Sequence, residues 1–336
     1  MKPKKNSNKK KVLITGGAGF IGHHVIKEIL TKTSWDVISL DRLDYSGSYN
    51  RINQILENNH RWTKRLKIVW HDLKASFNPF LVKKIGNPEI ILHIAAASHV
   101  DRSIEDPMSF VLDNVVGTTN ILDFARINKK LENFIYFSTD EVFGPAPKGI
   151  RYKEDDRYRS GNPYAATKAG AEELCVAYAN TYKLPIMVSH TMNVFGERQH
   201  PEKFIPKIIK SCLNNSTITI HANKTKTSAG SRFYIYSGDV ADALLFLLRN
   251  GKAGEKYNVV GNKEINNLLL AKSIAKILGK KLQYKLVDFH SSRPGHDLRY
   301  ALSGEKLRKM GWVPKIDVNK RLKQTVLWTI KNKEWF

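Results

Sequence analysis

Five short apolar runs in the first half of the chain, KVLIT, WDVISLD, LKIVWHDL, EIILHIAA and FIYFST, alternate with stretches whose apolar residues recur every three or four positions. GHHVIKEILTK and DNVVGTTNILDFARI are two such stretches, and their spacing predicts amphipathic helices. Strands alternating with helices imply βαβ units, hence a parallel sheet covered by helices on both faces. PIMVSH and KYNVV extend the strand series. The expected class is therefore α/β, a doubly wound parallel sheet with a smaller, mixed α/β lobe, which 336 residues are long enough to hold. The expected division gives residues 1–11 to a disordered basic tail and 12–190 to the sheet domain, with 234–260 returning to it. Residues 191–233 and 261–336 are left for the lobe.

A net charge of +24 raises the question of nucleic-acid binding. The lysines are spread along the whole chain among Asn and Ile, however, so the expectation is no nucleic-acid partner. No apolar run approaches the roughly 18 residues that span a bilayer, and the Lys-rich start leads into a glycine-broken strand without a cleavage-type segment. These features predict a cytoplasmic protein with no membrane partner. Cys175 and Cys212 are too few for a disulfide framework or a cysteine zinc site, so no metal is expected.

Within VLITGGAGFIGHHVI, Gly16, Gly19 and Gly22 form a GxxGxxG pattern between strand and helix. Glycine there permits a tight turn, lets backbone approach a pyrophosphate and lets the helix pack close to the strand, while the helix N-terminus attracts negative charge. The sheet then reads as Rossmann-type. Asp41, 19 residues after Gly22 at the end of WDVISLD, is placed to bond both ribose hydroxyls of an adenosine, which favours NAD. Its neighbour Arg42 leaves NADP open, because arginine accommodates a 2′-phosphate. Asp72 in VWHDL either reaches the adenine amino group or caps a helix. Phe20, Ile21, Leu73, Ala95 and Ala97, with Tyr164 and Lys168, complete the expected cofactor-binding set.

NPYAATKAG carries Tyr164 and Lys168 four apart, on one face of a helix. A phenol is a poor base at neutral pH unless a nearby ammonium and a cationic nicotinamide stabilise the phenolate. FSTDEVFG ends a strand with Ser138, Thr139, Asp140 and Glu141. Either this is a solvated strand-end acid pair, or burial and repulsion drive the two carboxyls apart so that one can serve as acid and the other as base.

With the glycine pattern, Asp41, the STDE strand end and Tyr164/Lys168 in this order, the chain resembles the extended short-chain dehydrogenase/reductase family over nearly all its length. More narrowly it is similar to the nucleoside-diphosphate-glucose 4,6-dehydratases. Four stretches carry that likeness: AAASHVDRSIEDP (95–107), STDEVFG (138–144), QHPEKFIPKII (199–209) and RPGHDLRYAL (293–302). The resemblance implies a lyase that recycles NAD while converting dTDP- or UDP-glucose to the 4-keto-6-deoxy sugar, in deoxysugar biosynthesis. It makes Tyr164 the O4 base, with Lys168 as its partner and Thr139 positioning O4. Glu141 becomes the C5 base and Asp140 the acid at the departing C6 hydroxyl. Ser98, Asn193, Lys203, Arg232, Arg293 and His296 are implied substrate contacts. A homodimer through the helices containing residues 105–128 and 164–182 is implied as well.

Three features depart from that pattern: Glu197 stands where proline is usual, HANKTKTSAGSRF is long for its turn, and Ala97 stands where many relatives carry Glu. The competing readings are an NAD-dependent nucleotide-sugar 4-epimerase or decarboxylase, which would not need Asp140 and Glu141, and a non-catalytic NAD-binding protein.

Overall fold

A computed structural model of the chain describes residues 9–57, 59–289 and 298–336. Arg293, His296 and most of the basic tail lie outside the described residues. Each of the seven apolar runs is a strand: β1 (Lys11–Thr15), β2 (Asp36–Asp41), β3 (Leu66–Trp70), β4 (Ile90–His93), β5 (Asn133–Thr139), β6 (Ile186–Thr191), and Lys256–Val259. They form one seven-stranded sheet in the order 256–259, β6, β5, β4, β1, β2, β3. Every neighbouring pair is parallel. The winding reverses between β1 and β4, and this class of sheet opens a ligand crevice at such a reversal, beyond the strand C-termini.

The strands are apolar throughout because both faces are covered. On β1, Val12 and Ile14 point into one core and Leu13 into the other, following the two-residue period of a strand. The first core is closed by α1 (Phe20–Lys32) and the helix Ser237–Asn250, through Ile26, Leu30, Val240 and Leu244. The second is closed by the helices Gly117–Ile127 and Pro163–Tyr182, through Ile121, Leu122, Ala171 and Cys175. Pro163–Tyr182 is fixed lower down by fully buried Glu172, which meets His190 of β6 at 3.1 Å and Lys256 at 3.0 Å.

One helix departs from its expected form. DNVVGTTNILDFARI starts within a π-helical segment, Val111–Val116, before becoming α-helical at Gly117–Ile127. A π turn widens the backbone and re-aims its side chains, and such turns concentrate at functional sites.

A third core joins Ile208, Cys212, Ile220, Ile274 and Val326. It lies among the helices Phe204–Leu213, Asn267–Leu278 and Val318–Lys331 and the parallel pair Ile218–Ala222 with Tyr284–Asp288. Leu307 and Trp312, though late in the chain, pack into the first sheet core instead. Among the described residues no helix is long and apolar enough to cross a membrane.

Candidate active site

The turn between β1 and α1 is built for close approach. Gly16 has φ +72°, and a Cβ there would lie 2.8 Å from the Ala95 Cα. At Gly22 a Cβ would fall 2.1 Å from the Gly16 carbonyl oxygen, so α1 can sit this near the turn only with glycine at that position. Gly19 is the N-cap of α1 and supplies no side chain to its free amides. These N–H groups and the helix dipole face the cleft as an anion-binding end.

Asp41 ends β2 on the cleft wall. Its Oδ2 accepts the Ala18 N–H at 3.0 Å and its Oδ1 accepts the Leu43 N–H at 2.8 Å. Burial raises its carboxyl above the usual range. Arg42, on the same cleft, is engaged in a carboxylate cluster, donating to Asp44 at 2.6 Å and to Asp113 Oδ2 at 2.8 Å, with Asp72 3.7 Å away. Asp72 caps no helix; its Oδ1 accepts the Lys74 N–H at 3.0 Å in a local turn beside the cleft. Phe20, Ile21, Leu73, Ala95 and Ala97 also line this cleft.

Buried polar contacts hold the strand ends around it. His93 Nδ1 lies 2.7 Å from Thr15 Oγ1 and its Nε2 lies 2.9 Å from Thr118 Oγ1, joining β4 to β1 and to the helix beneath. Asn114, in the π segment, accepts the Ala97 N–H at 2.9 Å and donates to the Ala97 carbonyl at 3.1 Å and to Thr167 Oγ1 at 3.0 Å. The π turn thus fixes both the cleft wall and the helix that carries Tyr164.

The reactive groups converge where β5 ends. Thr139 Oγ1 accepts the Glu141 N–H at 3.3 Å and hydrogen-bonds the Tyr164 phenol. Asp140 is buried, and desolvation followed by the Glu141 charge pushes its carboxyl up to about 7. Glu141 is half-buried and accepts from Asn162 Nδ2 at 3.1 Å and from the Tyr300 hydroxyl at 3.5 Å. Two adjacent carboxyls therefore stand in different surroundings. Asn162 also caps the helix Pro163–Tyr182, so one side chain sets both the Tyr164 helix and Glu141.

Burial, then the Glu141 charge, raises the Tyr164 phenol, while the Thr139 hydrogen bond opposes them. Lys168 is buried too, which brings its ammonium down to about 7, and it donates to the Phe137 carbonyl at 2.7 Å. A phenol in this setting needs further positive charge to act as a base.

A second cavity opens from the first past Ser98 and Tyr164. Five buried side-chain oxygens on its wall, Ser138 Oγ, Asp140 Oδ2, Thr191 Oγ1, Asn193 Oδ1 and Gln199 Oε1, have no hydrogen-bond partner among the described residues. Such groups are costly to leave unmatched, which marks this wall as polar. Lys203 and Arg232 stand on the same cavity. Arg232 packs 4.6 Å over the Tyr300 ring and donates to the Leu298 carbonyl at 2.7 Å.

The family model described as GDP-mannose 4,6 dehydratase matches residues 13–325. The chain belongs to that family. A dTDP-glucose 4,6-dehydratase of Escherichia coli is 35% identical over 97% of this chain and 95% of its own length. The dTDP-glucose 4,6-dehydratase DesIV of Streptomyces venezuelae, solved with NAD and TYD bound, superposes with a TM-score of 0.87 at 32% identity, covering 97% of this chain and 98% of that one. A Thermus thermophilus UDP-glucose 4-epimerase in complex with NAD reaches a TM-score of 0.85 at 29% identity, covering 95% and 98%. Dehydratases of this family and epimerases thus share the scaffold, and side chains must separate them.

Among the residues that motif reading left unassigned, Asn162 carries a recognisable signal, an Asn-Pro pair opening a helix. Asn114, Asn267 and Tyr300 have none as plain. Asn267 lines the second cavity and accepts the Tyr234 hydroxyl at 2.9 Å. Of the family departures, Glu197 is engaged structurally: its Oε2 accepts the Tyr236 hydroxyl at 2.8 Å, and its carbonyl lies 3.2 Å from His24 Nε2. The long turn closes on itself, with Asn223 Oδ1 accepting the N–H groups of Thr227 and Ser228. Ala97, the third departure, is the residue that Asn114 grips through both backbone groups.

Proposed function

We propose that this chain is an NAD-dependent nucleoside-diphosphate-glucose 4,6-dehydratase acting on dTDP- or UDP-glucose. The observation that carries the reading is the adjacent, differently buried pair Asp140 and Glu141 beside Tyr164. Elimination of water from C5 and C6 needs one protonated and one ionised group, and this pair supplies both. A 4-epimerase would need only Tyr164 and Lys168.

The glycine turn of Gly16, Gly19 and Gly22 and the Asp41 carboxylate would hold NAD in the first cleft, where it would supply hydride transfer at C4 and C6 of the glucosyl ring. Lys168 would favour the Tyr164 phenolate that burial disfavours, as would the positive charge of an oxidised cofactor. Tyr164 takes the O4 proton while Thr139 orients that oxygen. The C4 ketone acidifies the C5 hydrogen, which Glu141 removes. Asp140 delivers a proton to the C6 hydroxyl, which leaves as water, and Glu141 returns a proton to C5 as hydride adds at C6. Ser98, Asn193, Lys203 and Arg232 contact the sugar and its diphosphate, guanidinium and ammonium groups suiting those oxygens. The lobe of residues 191–233 and 261–336 holds the nucleotide end. NADP is disfavoured because Arg42 is committed to Asp44 and Asp113, and the acidic cluster would repel a 2′-phosphate.

The protein works in the cytoplasm, in deoxysugar biosynthesis, as a homodimer. Met108, Leu112, Ile127 and Tyr182, exposed apolar side chains on the segments expected to pair, support that assembly.

Incubation with dTDP-glucose and UDP-glucose separately tests the reading: one should give a product lighter by one water. Asp140 acts as an acid only while protonated, so the elimination rate should fall as pH rises past about 7. A product of unchanged mass from both sugars would contradict the proposal.

A further inference from the structure

Arg51, on the helix Tyr49–Glu57, is a buried cation whose hydrogen bonds all go to neutral carbonyls. Its Nη1 donates to the carbonyls of Ala18 at 3.1 Å and Ser46 at 2.6 Å, and its Nε donates to that of Arg198 at 3.1 Å. Among the described residues no carboxylate lies within salt-bridge distance of it. The three carbonyls belong to three walls of the cofactor cleft: the glycine turn, the loop after β2 and the loop that continues to Gln199 and His200. Arg51 lines the cleft as well.

The C-terminus covers this guanidinium. The Trp335 ring lies 5.3 Å from the Arg51 Cζ, and the Trp328 ring lies 4.8 Å from the Arg198 Cζ. Gln54 ties the two layers, accepting from Arg198 Nε at 2.6 Å and donating to Glu334 at 3.1 Å. Burial outweighs the one favourable carboxylate charge nearby, that of Asp41, which makes no direct ion pair with Arg51, so an anion entering the cleft would relieve part of the cost of burying this cation. A dinucleotide brings such an anion in its diphosphate.

We propose that Arg51 is a positioning residue that clamps the cofactor cleft around a dinucleotide diphosphate, and that Trp335 keeps the clamp closed. This rests on the reading of the cleft as an NAD site. Arg51 binds the three loops into one wall before the ligand arrives, so less ordering remains to be done on binding. Its charge then favours retention of the anionic ligand.

The test is cofactor retention by the full-length protein as purified. NAD per protomer is measured after gel filtration, and its release rate is measured against a chase of excess unlabelled NAD. Arg51→Met should release NAD about tenfold faster or more, having lost a charge-assisted contact. Trp335→Ala should release it about threefold faster, the scale of one cation–π contact. Arg51→Lys should fall between wild type and Arg51→Met, since it keeps the charge but loses the planar fork. Activity of Trp335→Ala should fall more at limiting NAD than at saturating NAD, a KM-weighted loss that separates weakened retention from a damaged reactive centre. Release within about twofold of wild type in both Arg51→Met and Trp335→Ala would overturn the clamp. Should Arg51→Met fail to fold, an unchanged rate in Trp335→Ala would overturn it alone. Wild-type protein that neither carries nor binds NAD would instead overturn the cleft reading, and the clamp with it.

Discussion

Glu141→Gln should oxidise its nucleotide sugar once and stop, leaving reduced cofactor that does not turn over. The amide is close in size to the carboxylate, and its oxygen can still accept from Asn162 and Tyr300, which both donate to Oε2. It cannot accept the C5 proton. Oxidation at C4 does not require Glu141, so that step should survive. Loss of a positioned general base lowers a rate by about 10²–10⁴-fold, and the whole of that loss should fall on elimination. Single-turnover absorbance of the reduced cofactor reads the two steps apart: a normal rise and no decay. Multiple turnovers at the wild-type rate would remove Glu141 from the mechanism.

Tyr164→Phe should fail one step earlier. In the proposed mechanism the phenol takes the O4 proton, and Thr139 hydrogen-bonds it. Phenylalanine keeps the ring that packs edge-on against Phe110 at 6.4 Å, so the helix should stay in place while the base is lost. The expected result is a fall of about 10²–10⁴-fold in formation of reduced cofactor, with sugar binding little changed. Because burial and Glu141 both oppose ionisation of this phenol, its reactivity should depend on positive charge nearby. Lys168→Met should therefore slow the same step and leave elimination from a preformed ketone unaffected. If the Tyr164 variant reduced the cofactor at the normal rate, another group would have to be the base.

Most of the scaffold was legible because parallel strands buried on both faces read as continuous apolar runs, and all seven such runs are strands of the sheet. The glycine turn was legible for a related reason: a Cβ at Gly16 or Gly22 would strike backbone, so the pattern follows from sterics. What the sequence left open depends on three-dimensional surroundings. Asp72 could cap a helix or face the cleft on sequence grounds alone; the structure puts it in a local turn at the cleft. Asn114 looks like one polar residue in a helical stripe until the π turn aims it at Ala97 and Thr167. The difference between Asp140 and Glu141 comes from burial and from Asn162, 21 residues after Glu141, which no local pattern encodes. Arg51 belongs to none of the motifs, and its place among three loops and Trp335 comes from the fold.

The path of one hydrogen tests the central claim most directly. Substrate carrying deuterium at C4 of the glucosyl ring is converted by the enzyme, and the product is located by nuclear magnetic resonance and mass spectrometry. Oxidation, elimination and return of the same hydride predict that the label moves to C6 of the same sugar, in a product one water lighter. In heavy water with unlabelled substrate, Glu141 exchange predicts deuterium at C5. Label retained at C4 in a product of unchanged mass would contradict the dehydratase account and assign the Asp140–Glu141 pair some other task.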